Sequence, residues 1–149
     1  MRGNKKATKK KREEKDMAST YENYLETPKS LTFDQMRELH QKLLKEIEND
    51  PVGQELYDEL IGEATTYAEI RAKWLSLDRS QKMEQDSFRT ACHNSVITHF
   101  NMMARYLKTQ GKNTEWRDAL GYEEDDKYFR KTIGDFGCYI VFINSLCAR

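Results

Sequence analysis

The chain has 149 residues, 34% of them charged, and its 25 basic and 25 acidic side chains cancel. That length suits one domain. It carries no signal-peptide core and no long uncharged apolar run, so a cytoplasmic protein without membrane association is expected.

The zero net charge hides an asymmetry. Residues 1–16 hold eight bases, Arg2, Lys5, Lys6, Lys9, Lys10, Lys11, Arg12 and Lys15, against the acids Glu13, Glu14 and Asp16. Removing these eight and three from 25 of each leaves 17 bases and 22 acids over residues 17–149. A basic end on an acidic body prompts a nucleic-acid arm, with Lys5, Lys6, Lys9, Lys10, Lys11 and Arg12 as its contacts. A second reading competes. The run "KKREEKD" needs purine-rich codons, and Met17 follows it at the distance of a start codon from a bacterial ribosome-binding site. On that reading the segment is translated leader. Only Met1 and Ala7 are apolar in it, so residues 1–20 are expected to be a disordered basic leader or tail. Residues 21–149 are expected to form a single helical domain.

The first predicted helix spans 33–49. Thr32 and Gln35 form a capping box, Leu31 and Met36 a hydrophobic staple, and Met36, Leu39, Leu43 and Ile47 a helical stripe. The second spans 51–77. Asp50 caps it, Pro51 occupies the first position, and Leu56, Leu60, Ala64, Tyr67, Ile70 and Trp74 face inward. The third spans 80–110, starting near Asp78 or Ser80. Its apolar row is Phe88, Cys92, Val96, Phe100, Met103 and Leu107, and Gly111 is its left-handed stop. A short helix over 114–120 follows, ended by Gly121. The last spans 124–147, entered through the acidic turn "EEDD" and marked by Phe129, Ile133, Phe136, Ile140, Ile143 and Cys147. Taken alone, "CYIVFI" also reads as a buried strand, but the surrounding spacing of three and four makes it helix. The fold class is all-α: a helical bundle of four principal helices plus one short helix.

Polar residues stand among apolar ones in the second half. Arg89, His93, Asn101 and Arg105 share one row of the third helix, with Asn94 and His99 nearby. Asp135 lies inside "TIGDFGCYIVF", where a carboxylate needs a cation. The candidates are Arg105, Arg117 and Arg130, with Arg105 or Arg117 preferred and Trp116 packed over the contact. Gly134 and Gly137, three apart, imply close approach of another helix or of the Trp116 ring. The bland reading is a structural clamp. The functional one is a pocket lined by Arg89, His93, Asn101, Arg105, Arg117 and Asp135 that takes a small anion or a partner's acidic group. A catalytic His93–Asp135 pair would lack a nucleophile. His93 and His99 are six apart, poor spacing for a metal on a helix, and Cys92, Cys138 and Cys147 form no C-x-x-C, so reduced core thiols are expected. No phosphate loop, nucleophile elbow or kinase signature occurs. Neither catalytic residue, metal nor cofactor is expected. Tyr21, Tyr24, Tyr122 and Tyr128, with "YEEDD", are candidates for an acidic aromatic docking patch.

The strings "RTACHNSVITHFNMMARYL", "WRDALG" and "RKTIGDFGCYIVFINSLCAR" resemble a family of small helical proteins of unassigned function from Gram-positive bacteria and their mobile elements. The resemblance covers residues 89–149. Its motif residues here are His93, Asn94, Asn101, Arg105, Trp116, Arg117, Arg130, Lys131 and Asp135, and it implies no activity.

The function expected is that of a non-enzymatic, cytoplasmic, helical interaction or regulatory protein acting through a protein partner. An acidic body repels phosphate and disfavours DNA. A sharper form is an acidic blocker of a nucleic-acid-binding enzyme. The alternatives are a nucleic-acid binder using the basic arm, and a small-anion binder or enzyme at the Arg–His–Asn–Asp network.

Overall fold

The computed structural model describes residues 29–121 and 129–147. The basic arm, the four tyrosines and the "EEDD" turn therefore lie outside the described residues, as does the expected helix start at 124. Every regular element among the described residues is helical: α1 Phe33–Glu46, α2 Pro51–Trp74, α3 Arg79–Thr109, the one-turn α4 Glu115–Asp118, and α5 Phe129–Cys147. No strand occurs among the described residues, so "CYIVFI" is helix.

The ends follow the local chemistry. At α1, the Gln35 amide donates to Thr32 Oγ1 at 3.1 Å and the Thr32 amide donates to Gln35 Oε1 at 2.9 Å. At α2, Asp50 accepts from the Gly53 amide and also accepts from the Tyr106 hydroxyl at 2.8 Å. That bond ties the start of α2 to the end of α3. A second capping box, Asp78 with Gln81, starts α3, and Gly111 takes φ 69° just beyond its end. The first helix stops short of the expected 49 because Asn49 adopts φ 59°, which Asn tolerates in turns.

Helices α2 and α3 form an antiparallel hairpin about the Leu75–Asp78 turn. Helix α5 lies in the groove between them, antiparallel to α2 and parallel to α3. Helix α1 closes one side, with α4 packed against it. From Thr132 to Phe142 every residue of α5 is buried. A helix enclosed on all sides is apolar all round, which is why its central run imitates a strand. The core centres on Phe100, whose ring lies 5.5 Å from that of Phe136 and 6.2 Å from that of Trp116. Met36, Leu43, Leu60, Met103, Leu107, Ile133 and Ile140 pack around it, all fully buried.

The apolar row of α3 begins later than its sequence implies. Phe88 is 50% exposed, and no residue from Arg79 to Ala91 is buried. The bundle ends below them, so the hairpin tip projects. No helix among the described residues is long and apolar enough to cross a membrane.

Candidate functional site

Asp135 is fully buried at 0% exposure. Its Oδ1 lies 2.6 Å from Arg71 Nη2, and its Oδ2 accepts from the Ser30 amide at 3.1 Å. Burial and pairing match expectation, but the partner is neither Arg105 nor Arg117, and Trp116 does not cover the contact. The antiparallel register of α5 on α2 decides this. It sets Gly137 against Ala64, Gly134 against Tyr67 and Asp135 beside Arg71. The two glycines do mark close helix approach. A Cβ on Gly134 would lie 3.0 Å from the Tyr67 hydroxyl, and one on Gly137 would lie 3.1 Å from Val96 Cγ1.

The expected single network divides in two. Asn101 Oδ1 accepts from Arg117 Nε at 2.9 Å, and Arg117 Nη1 donates to the Gly121 carbonyl at 2.8 Å. This clamp pins the α4 segment to α3. Trp116 is buried beside it on Phe100, with its indole N–H unpartnered among the described residues. Arg105 is exposed and, among the described residues, reaches only the Asn101 carbonyl one turn back, at 3.5 Å. These four residues stand apart from Asp135.

The second group surrounds a cleft of about 540 Å³ between α2, α3 and α5, lined by Tyr67, Arg71, Arg89, Thr90, His93, Arg130 and Lys131. Arg71 is the floor, with Asp135 behind it. Arg89 stacks over Trp74, its guanidinium carbon 4.2 Å from the ring centroid. Asp86 lies 3.7 Å away, and Arg89 Nε is buried with no hydrogen-bond partner among the described residues. Arg130 donates to Asn94 Oδ1, which places Asn94 behind the wall. Tyr67 is 5% exposed, and its hydroxyl bonds to no described residue.

His93 connects the walls. Its Nε2 is 2.6 Å from the Arg130 carbonyl. A carbonyl only accepts, so Nε2 carries the proton and Nδ1 is the ring's bare nitrogen. The ring stacks on Tyr67 at 4.8 Å and 11°. Burial holds its pKa below the usual value, against the raising effect of the carbonyl bond. The His93–Asp135 pair does not form, because His93 spends its donor on Arg130. Behind the floor, burial pushes the Cys138 thiol up to about 11, so it is a neutral packing group.

Of the sequence candidates, Arg89 and His93 reach the cleft, and Asp135 and Asn94 support it from behind. Asn101, Arg105, Trp116 and Arg117 do not. Sequence reasoning misses Arg71, Tyr67 and Thr90 as site residues. Arg71 carries a signal: it continues the Ala64–Tyr67 stripe at a spacing of four, so it faces inward. A second cleft, lined by Gln41, Leu44, Lys45, Ile47, Glu48, Gln54, Tyr57 and Asp58, mixes both charges. No group of three or more His, Cys, Asp or Glu that could hold a metal occurs among the described residues. No protein-family model, curated protein or solved structure matches the chain, so the cleft's geometry is what speaks to function.

Proposed function

We propose that the chain is a non-enzymatic helical interaction protein that engages its partner by taking an anionic group into the cleft between α2, α3 and α5. One observation carries the reading. Four cationic side chains, Arg71, Arg89, Arg130 and Lys131, converge on one cleft from three helices, in a body whose charge is otherwise acidic. One polar atom there, Arg89 Nε, is buried without a hydrogen-bond partner among the described residues. A buried donor left unmade costs about 1–3 kcal/mol, and an anion's oxygen would satisfy it.

The acidic excess elsewhere favours a protein bearing one anionic group over an extended polyanion, which the rest of the surface would repel. The reading puts the protein in the cytoplasm, in keeping with the free, buried thiols of Cys92 and Cys138. Amide spectra of the full chain titrated with inorganic phosphate, sulfate and acetate test it. Shifts are expected to cluster at Tyr67, Arg89, Thr90, His93 and Arg130, and to vanish in Arg89→Met and Arg130→Met. Absence of a localised response to any of the three anions refutes the reading.

A further inference from the structure

Resting on the reading of the cleft as an anion site, we infer that the group it selects is a phosphate monoester in its dianionic form. Charge comes first. The lining supplies four cations. Two are already opposed by carboxylates, Arg71 by Asp135 and Arg89 by Asp86. That leaves an excess of two positive charges among the described residues. A phosphate monoester carries about −1.5 to −2 at neutral pH, which balances it. A carboxylate or a phosphodiester brings one charge and leaves the cleft cationic.

Shape agrees with charge. The donors come from three directions: Tyr67 and Arg71 from α2, Arg89 and Thr90 from α3, Arg130 and Lys131 from α5. A carboxylate accepts in one plane. A phosphate monoester presents three terminal oxygens on a tetrahedron, one for each wall, and arginine forks suit them. The buried Arg89 Nε, unpartnered among the described residues, belongs to the α3 wall of this lining. His93, neutral and tied to the Arg130 carbonyl, fixes α5 against α3 without adding a competing charge.

The test uses calorimetric titration of the full chain with phenyl phosphate, methyl phenyl phosphate and benzoate. The monoester is expected to bind at least tenfold tighter than either monoanion. Arg89→Met and Arg130→Met should each lose about tenfold to a hundredfold, the range for one charge-assisted hydrogen bond. Lys131→Met is the variant that folds in any event, because that side chain is exposed, and it too should weaken the monoester. Arg37→Met, remote on α1 and paired with Asp34, should not. Free phosphoserine and a short phosphoserine peptide then separate the sources. Equal binding identifies a small phosphate, and tighter binding of the peptide identifies a phosphorylated protein, and either result supports the dianion. Equal affinity for phenyl phosphate and benzoate overturns this inference and leaves the anion cleft standing. Silence toward every probe overturns both.

Discussion

Replacing Asp135 with asparagine keeps the size of the side chain and the acceptor for the Ser30 amide, and removes only the charge. The Arg71 guanidinium, 18% exposed, then faces a neutral amide at the 2.6 Å position where its counter-ion stood. Breaking one half of a buried pair typically costs about 3–5 kcal/mol. Arg71 keeps some contact with water, which screens the charge it is left with, so the lower end applies, about 3 kcal/mol. A domain of this size holds about 5–15 kcal/mol in total, and each kcal/mol moves the melting temperature by about 2–4 °C. Asp135→Asn should therefore melt roughly 6–12 °C below the parent. Urea unfolding followed by far-ultraviolet circular dichroism measures the free energy directly. A double-mutant cycle with Arg71→Met isolates the pair: the double variant should cost clearly less than the sum of the singles. As a reference, Asp34→Asn breaks an exposed pair with Arg37 and should leave stability unchanged within error. If Asp135→Asn stays within about 1 kcal/mol of the parent, or the cycle is additive, the clamp argument fails. Asp135 would then be the first residue to examine for a direct part in binding.

Other outcomes follow from the same packing. His40 is buried with its Nε2 2.7 Å from the Tyr57 hydroxyl, which also accepts from Asn144 at 2.9 Å, and burial lowers the pKa of its ring to about 4. The unfolded ring takes a proton near pH 6.5 that the folded ring refuses. Stability is thus full above about pH 6.5 and falls as pH drops toward about 4, by up to about 3 kcal/mol. His40→Gln should flatten this slope in urea melts between about pH 7 and 4.5, and an unchanged slope assigns it elsewhere. At Gly62 the space a methyl group would fill is empty to 4 Å, so Gly62→Ala should stabilise by up to about 1 kcal/mol, whereas Gly134→Ala, pressed on Tyr67 and His93, should destabilise; thermal melts of both decide. Asn101→Ala strips Arg117 of one acceptor and should cost about 1–3 kcal/mol while leaving anion titrations unaltered, since the two polar networks are separate.

Much of the fold was legible because it is written in short-range chemistry. The Thr32–Gln35 box, Asp50 before Pro51 and Gly111 act within one turn, and each appears where the residues imply. The last helix was legible from the spacing around its core even though its centre looks like a strand. Partner choice was not. That Asp135 needed a cation follows from its neighbours, but which cation depends on the register of α5 against α2, a sum over many side chains that no local pattern records. Phe88 fails for a related reason: its stripe continues past the point where there is anything left to pack against. The cleft was half legible, since Arg89 and His93 advertise themselves as polar residues among apolar ones, while Arg71 shows itself only by its place four residues after Tyr67 on an apolar stripe.

The projecting end of α3 changes how the molecule should breathe. Its first three turns bury no side chain and are held by the Asp78 cap and the stacking of Arg89 on Trp74. A helical segment of that length is marginal without packing, so its amides should exchange with solvent through local fraying, far faster than those from Cys92 onward. Arg89 and Thr90 sit on this fraying stretch, whereas Arg130 and Lys131 sit on the turn of α5 that leads into its enclosed run, with the Arg130 carbonyl held by His93. The cleft thus has one yielding wall and one stiff one, and an occupant bridging them would slow exchange along the whole projecting tip.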